Sequence, residues 1–211
     1  FVIVGADTLR LTSYNSYGIA AFIFSPTGTI LSKRILCEGY DLDLEAMTID
    51  QSDNIYIAGK FYKYNIVWEG SEIKSQESPS YFLASYTTEL QKNWVRALST
   101  GWDTYGQIAN VVYNPLYNCL HILITMGTYG TSSSCKYQSW VLNHQSWSMT
   151  GKQLTSDTLA LCDDLMVGGD CAVDRYGNLM VVGRFRGTLQ SGSFQVTTPS
   201  AEGECNITNS F

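Results

Sequence analysis

One sentence of residues is written more than once in this chain, and that recurrence constrains the fold more than any other feature. Its clearest copy runs from Cys171 to Phe185, CAVDRYGNLMVVGRF. Ala172 and Val173 end one strand-like run, Asp174-Arg175-Tyr176-Gly177-Asn178 supplies turn residues, and Leu179 to Val182 is an apolar run that Gly183 breaks. Met47 to Phe61 repeats the pattern, with Asp50-Gln51-Ser52-Asp53-Asn54 as its turn. A divergent copy lies between, from Asn110 to Gly127, with Tyr113-Asn114-Pro115-Leu116-Tyr117-Asn118 in place of the turn.

The rest of the chain falls into order around these copies. Ile19 to Phe24, the turn Ser25-Pro26-Thr27-Gly28 and the run Thr29 to Leu36 precede the first copy. Ser80 to Tyr86 and Asn93 to Leu98 stand in the same place before the second, and Ser139 to Leu142 and Lys152 to Leu161 before the third. Phe22, Phe82 and Val141 occupy one position of the unit, 60 and 59 residues apart. No sustained helical stripe survives the Gly and Pro interruptions. The expected fold is all-β: consecutive four-stranded β-propeller-like blades with protruding hairpins. The blades are placed at residues 17–64, 80–130 and 139–186, the hairpins at 1–16, 65–79 and 187–199, and a tail at 200–211. Three blades do not close a ring, since propellers take about 4–8. The unit is therefore expected to belong to a longer or head-to-tail array.

Taken together, the apolar strand, the Pro/Thr-Gly turn, the Gly-aromatic-Asp break (Gly39-Tyr40-Asp41, Gly101-Trp102-Asp103), the Asp-x-x-Gly-Asn turn and the closing Gly-x-Phe resemble the SBBP-type β-propeller repeat. That resemblance covers nearly the whole chain. It implies a repeat scaffold of the kind found in large secreted and surface proteins, and no catalytic residues.

Composition narrows the partners. The net charge is −6 and the pI about 4.8, which argues against nucleic acid and anionic membrane surfaces. The longest apolar runs are far too short for a membrane-spanning helix. The six Cys lack zinc spacing, which suits an oxidised, extracellular protein. Cys162 and Cys171 are expected to bridge across one connection, and Cys119 and Cys135 to meet if the chain reverses at Gly127. Cys37 and Cys205 remain, to pair with each other or with a neighbouring chain. Asn206-Ile207-Thr208 is an N-glycosylation sequon in a polar tail.

Chemistry is sparse. Asp41, Asp103 and Asp163 recur at one place, but each loop offers too few acids for calcium, and an Asx turn explains them. Asp50, Asp53 and Asp174 are turn formers before they are an acid and base for glycosides. His121 alternates with apolar residues and His144 sits in a polar stretch; neither has a partner that the sequence can name. Trp94 and Trp140 align with strand positions and read as core. Trp68 and Trp102, in hairpin and loop contexts, are the candidates for an exposed ligand surface. No cofactor and no metal are expected, and no catalytic residue is assigned. The leading expectation is a non-enzymatic extracellular structural or adhesive repeat glycoprotein that assembles into filaments through other copies, head to tail. The alternatives are a carbohydrate- or protein-binding module and, behind it, a glycan-cleaving enzyme.

Overall fold

Turn chemistry sets the frame in a computed structural model of the chain, which describes residues 2–4, 7–9, 11, 17–39, 42–62, 65–69, 71–74, 80–99, 105–129 and 137–198. Ser25, Asp50, Thr87, Ser148 and Asp174 each open a turn of one build. The opening amide donates to the carbonyl four residues on, and the opening carbonyl accepts the amide three residues on. The side-chain oxygen of the opener accepts further amides inside the turn. Residues that hydrogen-bond their own backbone are the ones that suit this place. The fourth residue of each turn has positive φ, at Gly28, Asp53, Leu90, Gly151 and Gly177. A left-handed leucine costs about 1–2 kcal/mol. Leu90 is fully buried, and burying a leucine contributes about 1.5–3 kcal/mol, so the core contact holds the strained residue in place.

The described residues form strands and no helix. In chain order they are β1 (Val2–Val4), β2 (Asp7–Leu9), β3 (Tyr17–Phe24), β4 (Ile30–Gly39), β5 (Leu42–Ile49) and β6 (Ile55–Phe61). Next come β7 (Asn65–Trp68), β8 (Ser71–Lys74), β9 (Ser80–Tyr86), β10 (Lys92–Leu98), β11 (Tyr105–Asn114) and β12 (Cys119–Tyr129). The last are β13 (Tyr137–Ser148), β14 (Gln153–Cys162), β15 (Leu165–Val173), β16 (Leu179–Arg186), β17 (Thr188–Ser191) and β18 (Phe194–Thr197). The runs expected at Ile55 to Ala58, Ile122 to Thr125 and Leu179 to Val182 lie in β6, β12 and β16.

Sheet membership differs from the expected units. The first sheet runs β3-β4-β7-β8, the second β10-β9-β6-β5, the third β11-β12-β13-β14-β17-β18 and the fourth β15-β16. β1 and β2 pair with each other as a separate hairpin. Residues 17–64 therefore contribute to two sheets rather than one, and so do residues 139–186. The reason is pairing across the protruding hairpins. β9 returns to the edge of β6 after β7 and β8, so the start of one unit completes the sheet begun by the end of the previous one.

Strand alternation assigns each face. Ile57 and Phe61 of β6 and Phe82 and Tyr86 of β9 join Ile19, Leu36 and Trp68 in a core between the first and second sheets. Tyr56 and Ala58 of β6 and Tyr81 and Leu83 of β9 point the other way, to Ile108, Val111, Leu120 and Ile122 of the third sheet. Leu123, Trp140, Leu142 and Cys162 of the third sheet meet Met166, Cys171, Leu179 and Val181 of the fourth. β9 is buried along its whole length because both faces are covered and both edges are paired.

A bulge recurs in the first strand of three sheets. Register shifts fall between Leu44 and Ala46, between Ile108 and Asn110, and between Gly168 and Asp170. Bulges free backbone groups and re-aim side chains. Here those groups stitch neighbouring sheets together. The Glu45 carboxylate accepts the Ile108 amide at 2.7 Å and pairs with the Lys60 ammonium at 3.0 Å. Asn110 donates to the Asp170 carboxylate and, at 3.3 Å, to the Cys171 carbonyl. Burial pushes Glu45 above the usual carboxylate range, although the Ile108 amide and Lys60 pull it down.

Candidate functional site

The polar cluster that the fold assembles from distant residues lies between the third and fourth sheets, beside the turn opened by Asp174. Asn114 ends β11. Its side-chain carbonyl accepts the Leu116 and Tyr117 amides at 3.1 and 3.3 Å, which fixes the amide group with its nitrogen outward. That nitrogen donates to the Gly177 carbonyl at 3.1 Å and faces His121 Nε2 at 3.0 Å. His121 Nε2 must therefore accept, so the ring proton sits on Nδ1 and is donated to His144 Nε2 at 2.8 Å. Both rings are held neutral by geometry. An added proton on either facing nitrogen would break a hydrogen bond. Burial lowers the pKa of both rings, His144 lowers that of His121 further, and Asp157 opposes the shift at His144.

Cys119 Sγ lies 3.8 Å from His121 Nε2. Burial raises its pKa, and the nitrogen it faces is already engaged by Asn114. A thiolate nucleophile needs a lowered pKa and a base with a vacant lone pair, and this arrangement offers neither. Burial also pushes Cys37 up to about 12 and Cys171 up to about 11.

Above this pair the surface turns aromatic. Tyr117 and Tyr176 are exposed on adjacent turns, and the Arg175 guanidinium sits 4.7 Å from the Tyr176 ring centroid. Gly177 is required between them. Its φ is +82°, and a Cβ there would lie 2.6 Å from Tyr117 Cε2.

The expected site residues fare differently. Trp68 is buried, not exposed. β7 pairs onto the edge of β4 through Glu38 and Val67, which carries the indole under the second sheet. There the ring lies 4.7 Å from the Phe82 centroid, and its N–H donates to the Tyr86 hydroxyl. Trp102, Asn206, Cys135, Cys205, Asp41 and Asp103 lie outside the described residues. No disulfide forms among the described residues. Cys162 Sγ donates to the Arg186 carbonyl at 3.1 Å, and Cys171 is a free thiol. The expected bridge between them fails because β15 begins at Leu165, not at Cys171. Cys171 lies six residues into that strand, about 20 Å along it at ~3.3 Å per residue, whereas a bridge needs Cα atoms within about 7 Å. Cys119 is likewise a free thiol, and Gly127 lies inside β12, so the chain does not reverse there.

Asp163 accepts the Thr188 amide at 2.6 Å, a bond between distant segments rather than the local Asx turn expected of it. Asp50 accepts the Tyr56 hydroxyl at 2.9 Å as well as its own turn amides. No group of three metal-ligating side chains placed to hold an ion occurs among the described residues. Trp94 donates to the Met149 carbonyl at 2.9 Å, joining the second sheet to a turn of the third. The histidine pair was not legible in the sequence. His121 faces Ser146 in register, and His144 is its diagonal neighbour. No protein-family model matches this chain, and no curated protein matches it either.

Proposed function

We propose that this chain is a non-enzymatic β-repeat scaffold that works by binding other copies of its kind, as a structural or adhesive module outside the cell. One contrast carries the reading. Tyr56 and Ala58 of β6 are 1% and 0% exposed, whereas Met180 and Val182, at the same places after their turn, are 54% and 64% exposed. Exposed apolar residues on a strand that, among the described residues, is paired along one edge mark an interaction surface.

Further observations support the repeat. The turns at Ser25, Thr87 and Ser148 and those at Asp50, Asn114 and Asp174 recur about every sixty residues, and the bulges keep step with them. Under the SBBP-type propeller resemblance, each sheet is a blade built from the end of one unit and the start of the next. The raised thiol pKa values, the neutral histidine pair and the turn-bound carboxylates favour a scaffold over an enzyme. The placement outside the cell rests on the sequon at Asn206 and not on disulfides.

Sedimentation velocity across a wide concentration range tests the reading. Particle mass should grow with concentration and without ligand. A chain that stays monomeric throughout contradicts it. A second reading, glycan binding, is favoured by the exposed rings of Tyr117 and Tyr176, since aromatic faces stack on sugars. Binding to a glycan array that Tyr117→Ala abolishes would support that reading, and an array with no signal would remove it.

A further inference from the structure

Two sheet edges of this chain fit each other, and the chain holds the template for the fit. β12 takes β13 along its edge, and β6 takes β9. β16 stands where β6 and β12 stand. Each follows a turn opened by Asp50, Asn114 or Asp174, and each pairs back across a bulge with the strand before it. β3 stands where β9 and β13 stand, leading into a turn opened by Ser25, Thr87 or Ser148. Among the described residues β16 pairs with β15 alone and β3 with β4 alone.

We propose that β16 of one copy takes β3 of a second copy, an inference that rests on the self-association reading above. The product is a sheet ordered β15-β16-β3-β4-β7-β8, which reproduces β11-β12-β13-β14-β17-β18 strand for strand. The register follows from the template. Ile55 pairs with Tyr86 and Leu120 with Trp147, each partner standing just before its turn opener. Leu179 accordingly meets Phe24 of the second copy. Both strands have 8 residues, so the match ends with Arg186 on Tyr17 of the second copy and leaves no overhang.

The faces agree as well. Tyr56 and Ala58 share a core with Ile108 and Val111, which are 3% and 2% exposed. Met180 and Val182 are the counterparts of the first two. Leu44 and Met47, counted from the bulge, are the counterparts of the second two, and they are 48% and 61% exposed. Strand addition brings Met180 and Val182 of one copy over Leu44 and Met47 of the next. Main-chain pairing supplies affinity and alternate side chains supply register, as in strand addition elsewhere. The two edges differ, so the contact is head to tail, and each added copy presents a fresh edge.

The test uses Val182→Lys and Phe24→Lys, both at exposed positions, in sedimentation velocity with the parent chain. The parent should assemble. Each variant alone should self-associate about 30-fold more weakly or worse, the effect of losing one central contact residue. An equimolar mixture should form a dimer and stop there, because it joins the one sound β16 edge to the one sound β3 edge. That dimer also shows both variants folded. A monomeric parent overturns this proposal together with the reading it rests on, and gives the edge to some other partner. A parent that assembles while both variants assemble equally well overturns the edge assignment and leaves self-association standing. A Phe24→Lys chain that assembles alone, while Val182→Lys does not, points to a two-fold contact of β16 with itself and also overturns it.

Discussion

β6 and β16 carry one sequence pattern in two settings. Each follows an Asp-opened turn of one build, and each carries an apolar run broken by a glycine, Gly59 or Gly183, before a basic residue and a phenylalanine. β6 is buried from Tyr56 to Phe61, whereas β16 alternates between half-buried and exposed. The difference lies in the neighbours. β6 has β9 on its far edge and a sheet against each face, while β16, among the described residues, has the third sheet on one face only. The same apolar pattern thus specifies a strand, and its neighbours decide how far that strand is covered.

The sharpest way to break this comparison is the same substitution at both counterparts. Ala58→Lys places an ammonium between two sheets with no partner, and should cost several kcal/mol, a large part of the ~5–15 kcal/mol of a typical domain. Val182→Lys should stay within about 0.5 kcal/mol of the parent in dilute solution. Urea titration reads both. Equal losses would mean that β16 is buried in the free chain. A smaller contrast concerns aromatic rings. Phe82→Ala removes a fully buried ring packed on Trp68 and should cost about 3–5 kcal/mol. Phe24→Ala, at an exposed place, should cost less than about 1 kcal/mol in dilute solution.

The joint between the third and fourth sheets should respond to acid. His121 and His144 both have pKa values lowered below 6.5, with burial as the main cause. Below that pH the unfolded chain binds protons that the folded chain refuses. The stability they contribute is therefore complete above pH 6.5 and is lost as the pH falls towards the depressed native values. Urea midpoints should fall from about pH 7.5 to about pH 5.5, the range in which histidine titrates. His144→Gln should flatten that slope. A parent slope that survives the substitution would place the titrating group elsewhere. The smallest effect belongs to the turns. Asp53→Gly relieves a left-handed residue at an exposed site and should change stability by less than about 0.5 kcal/mol. Gly177→Ala, at the same place in its own turn, meets the Tyr117 ring and should cost at least about 1–2 kcal/mol. Thermal melts of the two variants check the ordering.

The sequence made the strands and turns legible, since both are local. Asp50 and Asp174 hydrogen-bond their own turns, and the apolar runs after them are strands. Partner choice was not legible, because it is decided by return over a distance. β9 comes back to β6 past a whole hairpin, which moved the sheet boundaries. Trp68 looked peripheral on a short hairpin, and one paired residue in β7 turns it inward. The bridge expected between Cys162 and Cys171 depended on where β15 starts, and an apolar stretch beginning at Leu165 extends the strand past that point. The histidine pair needed the register of β12 against β13, which no residue pattern beside His121 or His144 carries.

Hydrogen–deuterium exchange tests the central comparison most directly, followed at residues 55–61 and 179–186 in dilute and concentrated protein. Strong protection of β6 is expected at both concentrations, with protection of β16 that rises only as copies assemble. Protection of β16 equal to that of β6 in dilute solution, or none at either concentration, would contradict that comparison.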